Sequence, residues 1–232
     1  MNVTIIYGTM RKASTYNCVQ LLLNDLRLNV NINVTEFFLQ KNSSYSCHKY
    51  FSCLRTNSNS CNNFNPIYSI LTSLYDSDLI ILACPVLSCD ISAEMTSFLD
   101  YLSYYSIQNK AISSMHNKIG LVISTTTGAG LFHTIRTLKR NLKLLGVGNT
   151  FKFAKALYEM NWDDINIKTK KQIDKKILKL SNKVLDSYGN SHNLETPSFH
   201  KPTSLKIGPI FTNNNVIDFN YRKEHACSHI RN

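Results

Sequence analysis

Val3-Thr-Ile-Ile-Tyr7, followed directly by Gly8-Thr-Met-Arg-Lys-Ala-Ser-Thr15, is the stretch on which the reading of this chain turns. The first five residues are apolar or β-branched and stop at a glycine, which predicts a strand entering a turn. Tyr16, Val19, Leu23 and Leu26 then recur at i, i+3, i+7 and i+10, which predicts an amphipathic helix. The intervening turn offers hydroxyls, backbone N–H groups at a helix start, and in Arg11 a forked, permanently charged donor. That set suits an anion, a phosphate above all. Only Gly8 is a glycine in this turn, so the G-x-G-x-x-G dinucleotide loop is absent, and with no Gly-Lys-Ser/Thr a Walker A loop is excluded. The alternative for this turn alone is a capped helix carrying a surface arginine.

Working outward, strand-like and helix-like segments alternate. Ile32 to Leu39 is predicted as the second strand, and Asn65-Pro66 as a helix start ahead of Ile67, Ile70, Leu71 and Leu74. Leu79-Ile-Ile-Leu-Ala83 is continuously apolar, as a central parallel strand covered on both faces requires. Met95, Phe98, Leu99 and Leu102 mark the next helix, and Ile119 to Ser124 the fourth strand. A helix with Leu131, Ile135, Leu138, Leu142 and Leu145 on one stripe ends at Gly146, a C-cap position. Thr150 to Ala156 follows as the last strand. A long helix then carries Ile173, Ile177, Leu180 and Val184, with Asp163 and Asp164 near its start. The order βαβαβαβαβα predicts an α/β three-layer sandwich. Its five-stranded parallel sheet takes the flavodoxin-like order 2-1-3-4-5, with ligands beyond the carboxyl ends of the strands.

Two segments fall outside the alternation. Residues 40–64, rich in Ser, Asn and Cys, are predicted as an inserted loop after strand 2. Residues 190–232 are predicted as a C-terminal extension packing on a domain that spans 1–189.

Composition narrows the class. In 232 residues, 43% hydrophobic and 18% charged residues make a core-forming chain rather than a disordered one. The longest apolar run, Leu79 to Pro85, is strand-sized, so no membrane span is expected, and Val3 to Tyr7 is too short for a signal peptide. Seven cysteines without a secretory signal point to reduced thiols and a cytoplasmic location. The net charge of +11 is concentrated around Lys168 to Lys183, on the polar face of the final helix. That pattern is a solvated face, without the aromatic interleaving of a nucleic-acid surface, and no nucleic-acid partner is expected.

Two further βα turns bear on the first. Pro85-Val-Leu-Ser-Cys-Asp-Ile-Ser92 follows the buried third strand, and Thr125-Thr-Thr-Gly-Ala-Gly130 follows the fourth. Small residues and hydroxyls in the latter let a flat ring approach the backbone.

Taken together, these turns resemble those of the NADPH-dependent FMN reductases and related flavodoxin-fold oxidoreductases. The family's phosphate loop runs Gly-Ser-x-Arg followed by Ser or Asn-Thr. Pro85-Val86 with Ser92, Met95, Phe98 and Asp100 is similar to its Pro-Val-Tyr…Ser…Met-Lys…Phe…Asp-Arg. The resemblance covers residues 1–187 in order and implies FMN as cofactor and NAD(P)H as co-substrate. It implies Thr9, Arg11, Ser14, Thr15 and Tyr16 around the FMN phosphate. Pro85, Val86, Leu87, Ser88, Thr126, Thr127 and Gly128 would line the ribityl chain and ring. Leu87 stands where the family has Tyr, Thr96 where it has Lys, and Tyr101 where it has Arg, changes expected near the ring and the nicotinamide entrance.

The implied activity is hydride transfer from a nicotinamide to FMN and on to a quinone, nitro, azo or similar acceptor, by a homodimer in the family's manner; no side chain is implied as catalytic acid or base. The alternative is a flavodoxin-type electron carrier. Arg11, Lys12 and the basic chain separate it from that typically acidic class. Cys47, Cys53 and Cys61 lie where related iron–sulfur flavoproteins carry cluster ligands, but Tyr50 occupies one cysteine position, and three thiolates fall short of the four a cluster requires. His225 and His229 in the tail lack completing ligands, so no metal is expected.

Overall fold

The computed structural model describes residues 1–39, 64–108, 115–159 and 161–193. Cys47, Cys53, Cys61, the tail histidines and all but the first four residues of the expected extension lie outside them. Ten elements alternate through the described chain: β1 (Asn2–Tyr7), α1 (Ser14–Arg27), β2 (Asn33–Phe38), α2 (Phe64–Asp76) and β3 (Leu79–Ala83), then α3 (Ala93–Gln108), β4 (Ile119–Thr126), α4 (Leu131–Leu144), β5 (Asn149–Ala156) and α5 (Ile167–Asn193). The strands form one parallel sheet in the order β2-β1-β3-β4-β5, as expected.

The reason lies in which strands can be covered twice. Every residue of β3 and β4 is buried, whereas β2, at the edge, buries none fully. Ile6, Ile80, Leu82 and Val122 pack with Met95, Phe98, Leu138 and Leu142 in the layer of α2, α3 and α4. Ile5, Ile81, Leu121 and Ile123 pack on the other face with Val19, Leu22, Ile173 and Ile177 of α1 and α5. Period-2 alternation therefore survives in β1, β3 and β4 as a choice between two cores rather than between core and water.

Boundaries shift where tertiary pairing outweighs local signals. β4 runs two residues beyond Ser124, because Thr125 and Thr126 are β-branched and pair with Lys155 and Ala156 of β5. The long helix begins at Ile167, so Asp163 and Asp164 precede it, and it continues to Asn193, four residues past the expected boundary at 189. α2 begins at Phe64, one residue ahead of Asn65-Pro66. α4 ends as expected: Gly146 N–H bonds Lys143 O (3.0 Å) and Val147 N–H bonds Leu142 O (3.1 Å), the paired closure of a Schellman motif.

Candidate functional site

The three singled-out turns all leave the carboxyl ends of adjacent strands β1, β3 and β4. The ladders run on into them: Gly8 N–H bonds Ala83 O (2.9 Å), and Val86 N–H bonds Thr125 O (3.0 Å). The turns thereby start in register, on a rigid frame.

In the first turn, Thr9 is half-buried and Met10, Arg11 and Lys12 are exposed. α1 begins without a side-chain cap on Ala13 and without an acidic residue in its first turn. Its own bonding starts with Asn17 N–H to Ala13 O (3.0 Å), so Ser14, Thr15 and Tyr16 carry the N–H groups that a helix start leaves for an anion. Ser14 and Thr15 are buried, and the Thr15 and Thr125 hydroxyls share a 2.6 Å hydrogen bond that ties the first turn to the third. The Tyr16 ring turns toward Tyr7 (5.4 Å between centroids) and lies under the Lys12 ammonium (5.3 Å), so its part in an anion site is its backbone N–H. The Tyr7 phenol donates to Glu36 (2.8 Å); burial first, and then that carboxylate, push it above its ordinary value and keep it protonated.

Ser92 ties the second turn to the first. Its hydroxyl donates to Gly8 O (2.6 Å) and accepts from Met95 N–H (3.2 Å), capping α3. Beside it, Cys84 is buried, and burial raises its thiol. Gly8 is required by close approach: a Cβ there would sit 2.7 Å from Cys84 Sγ and 3.0 Å from Ser92 Oγ. Pro85 and Val86 are half-buried. Leu87 and Ser88 are exposed on a two-residue reversal in which Leu87 and Asp90 exchange both backbone bonds (2.8 and 2.9 Å). Ser88 (φ 47°) and Cys89 (φ 65°) are both left-handed, the conformation of a tight hairpin turn that Asn and Gly adopt most cheaply.

The third turn is closed by Thr126, whose hydroxyl donates to Ala129 O (3.0 Å) and accepts from Gly128 N–H (3.1 Å). That hydroxyl belongs to the turn, leaving Thr127, Gly128 and Ala129 exposed. Gly130, at φ 90°, caps α4 and meets the second turn: a Cβ there would lie 2.4 Å from Cys89 O. The three turns are thus bound to one another, first to second through Ser92, first to third through Thr15, second to third at Gly130.

Sequence reasoning missed the apolar rim of this edge. Met10 (54% exposed), Leu87 (46%), Phe132 (74%) and Tyr158 (76%) follow four different strands at the same end of the sheet. Phe132 stands out only as an aromatic off the Leu131–Ile135–Leu138 stripe, and Tyr158 carries no signal beyond its place after β5. Tyr101, expected near the ring, is buried in the core instead. Thr96 is exposed, its hydroxyl bonded to Ser92 O (3.0 Å). Among the described residues no cluster of His, Cys, Asp and Glu suits a metal ion.

The residues present fit FMN. An uncapped helix start beside Arg11 matches a phosphate, and an added Cβ on Gly128 meets nothing within 4 Å, so a flat ring has room at the backbone. Sheet order and turns together define a flavodoxin-like, FMN-binding α/β domain.

The chain belongs to the NADPH-dependent FMN reductase family, whose model matches residues 1–157. It is accordingly an FMN-dependent oxidoreductase with a nicotinamide as electron donor. No curated protein matches it in sequence. Solved structures share the fold at low identity. An FMN-dependent NADH-azoreductase from Bacillus anthracis str. Ames Ancestor is 11% identical at a TM-score of 0.61, over 79% of this chain and 99% of that one. An NAD(P)H:(acceptor) oxidoreductase flavoenzyme from Paracoccus denitrificans is 13% identical at 0.54, over 82% and 98%. A Streptococcus pneumonia TIGR4 flavodoxin is 10% identical at 0.50, over 80% and 99%. No helix among the described residues is long and apolar enough to cross a membrane.

Proposed function

We propose that this chain passes electrons from NADH or NADPH, by way of FMN, to a flat aromatic acceptor of the quinone, nitro or azo class. FMN, when bound, supplies two-electron transfer between the nicotinamide and that acceptor. The protein supplies the holding. The N–H groups of Ser14, Thr15 and Tyr16, with Thr9 and Arg11, hold the phosphate. Pro85, Val86, Leu87 and Ser88 on one side, and the backbone of Thr126 with Thr127 and Gly128 on the other, line the ribityl chain and ring. A backbone N–H near Ser88 or Thr127 is the contact that tunes the ring. No side chain is assigned as acid or base.

One observation carries the choice of acceptor: Met10, Leu87, Phe132 and Tyr158 are exposed apolar side chains that follow four different strands at the carboxyl end of the sheet. Such a rim takes up a planar, weakly polar molecule, and closing over it excludes water. The same rim supports assembly as a homodimer across the flavin edge. The working unit is the domain that the described residues build as far as Asn193, the end of α5. It acts in the cytoplasm on small molecules, with no nucleic-acid partner. Buried Cys18 and Cys84, both free thiols, agree with a reducing compartment.

Steady-state oxidation of NADPH and NADH by the FMN-loaded protein, with a naphthoquinone, a nitroarene and an azo dye as acceptors, tests the reading. Turnover with at least one is expected. A flavin-loaded protein that turns over none of them is an electron carrier of the flavodoxin kind.

A further inference from the structure

β5, Asn149-Thr-Phe-Lys-Phe-Ala-Lys-Ala156, closes one side of the sheet, and among the described residues no strand lies beyond it. The bond from Leu157 N–H to Thr126 O sets the phase of its backbone. Odd-numbered residues turn their N–H and C=O groups to β4, so Thr150, Lys152, Ala154 and Ala156 present theirs on the outer edge. Such an edge is a template for another strand.

Two helices flank this edge and give it a charge. Side chains of β5 alternate between the faces of the sheet: Ala154 packs in the layer of α4, Phe151 and Phe153 in the layer of α5. Lys152 therefore stands on the α4 side and Lys155 on the α5 side. Burial, and then the charges of Lys143 and Lys152, lower the Lys139 ammonium, so these three cations crowd one flank. On the other flank Lys155 Nζ donates to Gln172 Oε1 (3.1 Å), which turns that face of α5 to the strand. Lys168, Lys176 and Lys179, at i−4, i+4 and i+7 from Gln172, share the face and are exposed.

Carboxylates are kept off both flanks. α4 and β5 contain none. Of the two in α5, Asp174 faces α1, where after burial its charge raises the Asp25 carboxyl and the Cys18 thiol, and Asp186 comes two turns beyond Lys179. Lysines on a strand blunt its edge against stray pairing, but Lys152 and Lys155 meet that need alone. Further cations along both helices repel one another and give the edge a preference, an anion on either side of an incoming strand.

We propose that the β5 edge docks an extended acidic segment of another protein, which adds to the sheet as a further strand. Its backbone pairs with the outward groups of Thr150 to Ala156. Its carboxylates meet Lys152 and Lys139 on one side, Lys155 and Lys179 on the other. Successive side chains of the added strand point to opposite flanks, and both flanks are basic. The segment is therefore acidic at adjacent positions, not only at every second one. Charge selects this partner over two nearer occupants. A second copy brings the same cations to the same edge, and residues 194–232 of this chain carry more Lys and Arg than Asp and Glu. A nucleic acid or an anionic membrane has no strand backbone to pair with the ladder groups.

The test titrates the full chain, with FMN supplied, into the fluorescein-labelled peptide Asp-Glu-Val-Glu-Asp-Val-Glu-Glu and follows anisotropy. Saturable binding is expected, with amide exchange slowed at Lys152, Ala154 and Ala156 in NMR spectra of the complex. Lys152→Glu/Lys179→Glu is expected to raise the peptide Kd roughly tenfold or more, with circular dichroism and FMN binding unchanged. Methylating every backbone nitrogen of the peptide keeps its charge, removes its donors and is expected to weaken binding at least as much. The exchange and methylation arms need no substitution and stand if the variant fails to fold. Absent peptide binding, equal binding of the methylated peptide, or unchanged exchange along β5 overturns the proposal. Tighter binding of single-stranded DNA or phosphatidylserine vesicles than of the peptide overturns it too. A dimer of the unaltered chain that the variant abolishes makes the edge an interface between copies, and that also contradicts the proposal.

Discussion

The two ends of the same parallel sheet are built by opposite rules. At the amino end the polar groups are spent on one another. The Met1 ammonium donates to Asn31 O (2.9 Å), Asn2 N–H to Asp78 Oδ2 (2.7 Å), and Lys118 Nζ to Ser77 O (2.7 Å) and Tyr75 O. Asp78 N–H closes the set on Asn2 O (2.8 Å). At the carboxyl end the turns are tied to each other, yet the groups facing outward are left over: an uncapped helix start, an exposed arginine, two left-handed residues and four exposed apolar side chains. One end is finished by the protein alone. On the function proposed above, the other is left for FMN to finish, so part of its stability would come with binding.

Substitutions at the two ends should therefore separate stability from flavin affinity. The largest effect is expected at Gly130→Ala, where a Cβ meets the Cys89 backbone at 2.4 Å in a left-handed conformation. A loss of about 2–4 kcal/mol in denaturant unfolding, together with weakened FMN binding, is expected from strain plus overpacking. Arg11→Ala comes next. It should leave unfolding unchanged and weaken FMN binding by roughly tenfold or more, since a charged hydrogen bond is worth about 1.5–3 kcal/mol. An unchanged dissociation constant would remove Arg11 from the site.

Asp78→Ala should do the reverse at the amino end: a stability loss of about 1–2 kcal/mol from the stranded Asn2 N–H, with FMN affinity intact. A change in affinity there would erase the division between the two ends. The smallest effect, and the only gain, is expected for Cys89→Gly. Relief of a left-handed cysteine should raise the unfolding free energy by about 0.5–1 kcal/mol, measured on the flavin-free protein.

Much of the frame was legible because each central strand announces itself. Leu79 to Ala83 is apolar without alternation, which only a doubly covered strand tolerates, and the stripes on α1 and α4 repeat at helical spacing. The fine structure of the site was less legible, since it depends on partners distant in sequence. Thr125 and Thr126 look like turn residues until β5 is beside them. Ser88-Cys89 carries none of the Asn-Gly chemistry of a tight reversal, and nothing local says that Gly130 must pass under Cys89. Tyr101 was placed by a motif position near the ring, but helix phase turns it into the core with Phe98 and Leu102. Arg11 stood out as a candidate because charge in a βα turn has few structural uses, and the structure leaves it exposed beside the start of α1. The apolar rim was not, because it is assembled one residue at a time from four segments.

The central claim is that the open end of the sheet is an FMN site, and the visible spectrum of the purified protein during titration with FMN tests it most directly. The account predicts a flavin band that saturates at about one FMN per chain, with flavin fluorescence altered on binding. A protein that shows no flavin band as purified and takes up none when FMN is supplied would contradict it.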